Sequence, residues 1–455
     1  MCNGIDTSTL PKSLKDAITV TKRLNFRYLW VDSLCIIQDS DEDKSHEISN
    51  MANVYKGSHL TINAAKAYNC NEGFLESQPL TRSYRDPNLA VRVPLLYGDE
   101  ELGQVILEED IFCADPGEPT YRRAWTFQER LLSRRQLIYG FDTLTWKCTT
   151  TTWNWVTWTR FCFQAPILGS LALPSDDVVT KLSEESLERP AAAAAATTLS
   201  LRKTPDSGNN APQWRTAGWP YFQHYWLELV GIYSPLRLTD SADKLPGIAG
   251  VAAEVSRVSA AATGGLPAGR YLAGLWEADL PRQLLWTVYY PSEPEERGRR
   301  PYRAPSWSWA SAAGDVYVHY PSVVQEYCSR PAAQVVECST TPLRAEAPFG
   351  QVKDGFLRIR ARLVRGAAVG ERLGSSDGPI TGEREFCQMD VVESVEAAKE
   401  RALSSWWAQL GECCGLVLEK VGEDSGEGGL YRRVGIFHSE TTSFPDVEPS
   451  VFTII

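Results

Sequence analysis

Trp125 and Glu129 stand four positions apart in Tyr121–Tyr139, YRRAWTFQERLLSRRQLIY, a run that reads as a helix passing into a strand. On a helix, that spacing stacks the carboxylate about one turn from the indole. A single acid beside an aromatic wall can do chemistry on a sugar bond. The same segment supplies Arg122, Arg123, Arg130, Arg134 and Arg135, which could recognise phosphate or form exposed ion pairs of little energetic weight. The plain alternative for Trp125 and Glu129 is a core indole and a solvated or capping glutamate.

Such a helix needs a scaffold, and the flanking sequence supplies one. Pro11 and the helically spaced positions Leu10, Leu14, Ala17, Ile18, Thr21 and Leu24 predict a helix stopped by Asn25. Phe26–Val31 and Leu34–Ile37 are apolar runs flanking Asp32 and Ser33, the pattern of a strand buried on both faces, whose carboxyl end would present Asp32 to a ligand. Acidic Asp39–Asp43 then precedes Ile48, Met51, Ala52 and Tyr55, a helical stripe that Gly57 can end, and Leu60–Ala64 reads as the next strand. Ala90–Tyr97 and Gln104–Leu107 look like a β-insertion, and Gln136–Tyr139 and Leu144–Cys148 like strands after the Trp125 helix. Alternating helices and strands predict an α/β fold.

Further on, residues 176–212 carry an alanine run and Ser, Asn, Gly and Pro without hydrophobic period, the composition of a linker or insertion. Tyr225, Trp226, Leu229 and Tyr233 form an aromatic helical stripe, and Asp243–Val251 reads as a helix entry. From about Ala304 the chain turns to Gly-punctuated strands, including Gly355–Leu363, Cys414–Glu419 and Arg433–Phe437. PSWSWAS, residues 305–311, reads as a packed aromatic turn, since no nucleophile elbow surrounds Ser306 or Ser308.

Composition narrows the chemistry. Fifty-seven acidic and 46 basic side chains give a net charge of −11, which argues against a general nucleic-acid surface. Eleven cysteines lack metal-ligand spacing and read as reduced, mostly buried thiols. Five histidines form no HExxH, and no phosphate-cradling glycine loop occurs, so neither a metal nor a bound cofactor is expected. No run of about 18 apolar residues suggests a membrane span, and the N-terminus lacks signal-peptide regions; a cytoplasmic protein is expected.

Four blocks in order, RYLWVDSLCIIQD from Arg27, MANVYKGSHLTINAA from Met51, GFLESQP from Gly73 and RAWTFQERLLSRR from Arg123, resemble the fungal heterokaryon-incompatibility (HET) domain family. YSPLRLTDSADKLPGIAGVA from Tyr233, YLAGLW from Tyr271 and YRAPSWSWAS from Tyr302 look like pieces that follow the domain in many members. The resemblance implies non-self recognition and a cell-death effector role, with protein partners or self-assembly. It also implies a distant likeness to Toll/interleukin-receptor (TIR) domains, flavodoxin-like units of which some cleave NAD through a Trp-x-x-x-Glu helix. On that likeness, Glu129 is the candidate catalytic carboxylate and Trp125, Asp32 and Arg123 are candidate substrate contacts. NAD is then a substrate.

The expected architecture is therefore a TIR/flavodoxin-like parallel sheet with helices in the N-terminal part and a mixed, β-rich C-terminal part. Its expected divisions are a HET domain over 1–165, a low-complexity linker over 166–215, a helical and aromatic extension over 216–320, and a β-rich region over 321–455. An earlier strand block of the family has no counterpart, so the domain reads as N-terminally truncated. Gln78 stands where the family commonly has arginine. A non-catalytic assembly module and an inactive truncated relative are the alternatives to an NAD-cleaving enzyme.

Overall fold

A computed structural model describes residues 4–76, 91–97, 100–107, 118–141, 144–148, 152–154, 219–262, 269–288, 302–312, 318–319, 332–367, 385–390, 395–422, 429–439 and 444–455. The expected low-complexity segment and Gln78 lie outside them. The chain divides into two compact units. One comprises Met1–Ile37, Gly57–Arg122 and Ser133–Gly169, the other Gln38–Lys56, Arg123–Leu132 and Ser170–Ile455.

In the first unit, α1 (Lys12–Arg23) follows Pro11 and ends on Lys22 and Arg23, charges that suit the negative end of a helix. Asn25 then takes φ 59°, the left-handed turn that lets the chain leave the helix. Asp16, buried on α1, accepts from the Phe74 and Leu75 N–H groups at 2.7 and 3.0 Å and from Lys12 Nζ at 2.7 Å. Gly73 makes this possible: its φ is 73°, and a Cβ there would stand 2.6 Å from Asp16 Oδ2. Gly73, Phe74 and Leu75 thus form a clasp on α1.

The strand expected over Phe26–Val31 does not form. That stretch has no strand pairing, Tyr28 is 84% exposed, and Asp32 opens a one-turn helix, α2 (Asp32–Cys35). A short apolar run does not fix its own secondary structure; here the Arg27 guanidinium lies 5.5 Å from the Tyr28 ring centroid, so Tyr28 meets a cation and solvent rather than a sheet.

Strand β1 (Thr61–Asn63) precedes a hairpin, β2 (Val91–Tyr97) and β3 (Glu100–Leu107), and then come β4 (Arg135–Tyr139), β5 (Leu144–Cys148) and β6 (Thr152–Asn154). The sheet runs β1-β4-β5-β6. Only β1–β4 is parallel, with Thr61 opposite Gln136; β4–β5 and β5–β6 are antiparallel. Where a parallel sheet was expected, the described strands form a mixed one.

The second unit gathers α3 (Asp41–Gly57), α4 (Trp125–Leu132), α5 (Trp219–Tyr233) and α6 (Pro246–Ala262). A tight hairpin, β7 (Tyr271–Leu272) and β8 (Leu275–Trp276), turns on Ala273 and Gly274 at φ 47° and 99°, two successive left-handed residues as a type I′ turn requires. Both Trp226 and Trp309 donate their indole N–H to the Gly274 carbonyl at 2.9 Å, and Trp286 donates to the Trp307 carbonyl. These indoles and Trp276 are fully buried, so the PSWSWAS block is core. Helix α7 (Leu280–Gln283) and the pair β9 (Thr287–Val288) with β10 (Val318–His319) complete this layer.

Next come β11 (Gln334–Pro342), β12 (Val352–Ala361), β13 (Leu363–Arg365), β14 (Glu385–Met389), α8 (Val395–Ser404), β15 (Trp406–Gln409), β16 (Cys414–Lys420), β17 (Leu430–Ser439) and β18 (Ser450–Ile454). The β-rich expectation is met with a closed form. Strands β12 and β13 are one bent strand about Arg362, which pairs with β18 along one side and with β11 and then β15 along the other. Ala332 N–H bonds the Leu410 carbonyl, so β11 and β15 run end to end. The path β12-β18-β17-β16-β15-β13 therefore returns to its start and closes a barrel. Leu357 and Ile359 point inward opposite Ile454 and Phe452, while Arg358 and Arg360 point out. Arg433 lies buried against the Trp286 ring and pairs with Asp390 at 2.9 Å, a fully desolvated cation that needs both partners.

The cysteine expectation needs correction. All seven described cysteines are free, but only Cys338 and Cys414 are buried, and Cys35 and Cys70 are exposed.

Candidate functional site

Helix α4 is sheathed on nearly every side. Thr126, Phe127, Gln128, Arg130, Leu131 and Leu132 are buried, and of its eight residues only Trp125 and Glu129 are half-buried. The spacing of four thus marks the one face of α4 that retains access to solvent. Trp125 Nε1 donates to Asp243 Oδ2 at 3.3 Å. Burial raises the Asp243 carboxyl above the usual aspartate range; the Trp125 hydrogen bond opposes that rise and Asp240 adds to it.

The segment that enters α4 is fixed by backbone. Arg123 forms a parallel β-bridge with Arg237, and Ala124 N–H donates to the Arg237 carbonyl at 2.9 Å. The Thr126 hydroxyl then donates to the Arg123 carbonyl at 2.9 Å. Phe127 packs on Tyr233 of α5, with ring centroids 5.4 Å apart.

Two glycines of α6 let these helices approach. A Cβ on Gly250 would meet Ala52 Cβ of α3 at 2.5 Å, and Gln128 Oε1 and Leu132 Cδ1 of α4 at 2.7 and 3.3 Å. A Cβ on Gly247 would press on the Tyr233 hydroxyl, which donates to the Lys244 carbonyl. Helix α3 is also tied to α6 through Glu254, which accepts from Lys56 at 3.0 Å and from Arg257 at 2.9 and 2.5 Å. Burial alone would raise the Glu254 carboxyl, but Arg257 and Lys56 outweigh it and hold it below the usual range.

The sequence-derived candidates divide between the units. Trp125, Glu129 and Arg123 belong to the second, where Arg123 is exposed. Asp32 belongs to the first, exposed at the start of α2, with Oδ1 accepting from Ser33 N–H at 2.7 Å. Of the other arginines, Arg130 is buried with Nε donating to the Thr126 carbonyl, while Arg134 and Arg135 are exposed. Among the described residues no cluster of three or more His, Cys, Asp or Glu side chains could hold a metal ion, and no helix is long and apolar enough to cross a membrane.

Residues 2–129 match the family model described as Heterokaryon incompatibility protein (HET). This chain carries a HET domain. No curated protein and no solved structure matches the chain. The match ends at Glu129, yet the HET residues of α3 and α4 are packed by α5 and α6, which follow it. Asp243 and Arg237 are the site neighbours that sequence spacing did not single out. Their block, YSPLRLTDSADKLPGIAGVA, stood out in the sequence, but nothing local joins Asp243 to an indole 118 positions earlier.

Proposed function

We propose that this HET domain acts in non-self recognition as a cell-death effector, and that it does so by cleaving the nicotinamide–ribose bond of NAD with Glu129 as the reacting carboxylate. The observation that carries the chemistry is the open Trp125–Glu129 face on an otherwise buried α4. As the bond from ribose to the pyridinium nitrogen breaks, nicotinamide takes the electron pair and leaves neutral. No general acid is needed. The ribose becomes oxocarbenium-like, and a carboxylate stabilises that charge, captures it or takes a proton from the attacking water. Trp125 supplies a π surface against the ring, and Arg123 a phosphate contact. Asp32 enters as a ribose contact on the family likeness alone.

A second reading, a signalling module that works by assembly with itself or a protein partner, is favoured by one observation: the polar atom of Trp125 is already engaged by Asp243. NAD consumption by purified wild type beside Glu129→Gln separates the two. The enzyme reading expects turnover that falls at least about a hundredfold in the variant. A folded wild type without turnover rejects it. Toxicity that survives Glu129→Gln at equal protein level supports assembly.

A further inference from the structure

Two arginines far apart in sequence are held side by side immediately before α4. Their isolated parallel bridge, with the Ala124 N–H bonded to the Arg237 carbonyl, fixes Arg123 and Arg237 opposite each other on adjacent extended segments. Both side chains are exposed, and among the described residues neither has an ion pair or a side-chain hydrogen bond. The acids that follow Arg237 are otherwise engaged: Asp240 caps the Ala242 N–H and Asp243 takes the Trp125 indole. Like charges directly opposite on neighbouring strands destabilise the pair, and the net charge of −11 leaves an excess of acid for pairing cations elsewhere. An anion bridging both guanidinium forks would remove that repulsion, and phosphate oxygens fit the fork geometry.

We propose that Arg123 and Arg237 together form a pyrophosphate-recognition site, with Arg237 a binding residue outside the HET match. The ligand class is a nucleoside diphosphate ester; its identification with NAD rests on the function proposed above, whereas the anion site does not. The site lies two residues from Trp125, so a pyrophosphate held there leaves the ligand's attached ribose groups within a short reach of the open face of α4.

Calorimetric titration of the full chain with inorganic pyrophosphate, and separately with NAD, tests this. Wild type should bind pyrophosphate, more weakly as salt rises. Arg123→Gln and Arg237→Gln should each weaken it roughly tenfold or more, while Arg344→Gln, at an exposed arginine between β11 and β12, should leave it unchanged. Arg237→Lys, which keeps the charge and loses the fork, should fall between and guards against a misfolded Gln variant. Unbroken pyrophosphate affinity in Arg237→Gln, or no binding by wild type at millimolar concentration, overturns the site. Pyrophosphate binding without NAD turnover keeps the site and rejects the enzyme. Turnover with an unchanged KM for NAD in Arg237→Gln keeps the enzyme and rejects NAD as the ligand of this site.

Discussion

Trp125 is oriented by a carboxylate that folding would rather protonate. Burial lifts the Asp243 carboxyl above its usual range, against the indole hydrogen bond. A raised carboxylate pKa means that the folded state binds its proton more tightly than the unfolded state does. The penalty is therefore present above the folded-state pKa and fades as pH falls through it. Asp243→Asn keeps an acceptor for the indole without the charge. It should melt above wild type at neutral pH, the gap closing as pH falls towards about 4, in a series of thermal melts. A variant less stable than wild type at neutral pH would mean that the charged hydrogen bond outweighs burial. The Trp125–Glu129 spacing was legible in the sequence because i and i+4 share a helix face. Asp243 was not, because its partner is brought to it by tertiary packing alone.

At the scale of elements, α3 and α4 both close onto α6 at Gly250. Gly250→Ala adds one carbon where Ala52 Cβ and Gln128 Oε1 stand 2.5 and 2.7 Å from the new atom. It should destabilise the protein by about 1–3 kcal/mol, the usual cost of overpacking a tight interior, read as a lowered denaturation midpoint with an unchanged slope. An Ala variant as stable as wild type would mean that α6 is free to shift. Elements whose sequence pattern carried a period or a clear stop were readable: Asn25 does end α1 in a left-handed turn, Leu144–Cys148 is β5, and Gly355–Leu363 falls in β12 and β13. Phe26–Val31 was not, since five apolar and aromatic residues around Arg27 look the same whether a sheet covers them or solvent does. Barrel closure was equally invisible, because it depends on which strand sits beside which and not on any strand's own pattern.

At the scale of the whole molecule, the HET match and the compact units cut the chain differently. Ending the chain at residue 165, the expected domain boundary, removes α5 and α6. Phe127, with no exposed surface in the full chain, would then lose Tyr233, and Trp125 would lose Asp243. That fragment should be poorly soluble or lack dispersed amide resonances in an NMR spectrum, whereas the full chain should show them; a well-dispersed spectrum from residues 1–165 would mean that α4 finds other cover. The dependence of α4 on Asp243 and Gly250 also has a timing. The 118 residues from Leu132 to Gly250 take roughly ten seconds to synthesise at ~5–20 residues per second, and through that interval the apolar side of α4 has no cover from α6. The ribosome therefore releases this helix well before its partner exists, which withholds the finished Trp125–Glu129 face until the DKLPGIAG block has emerged.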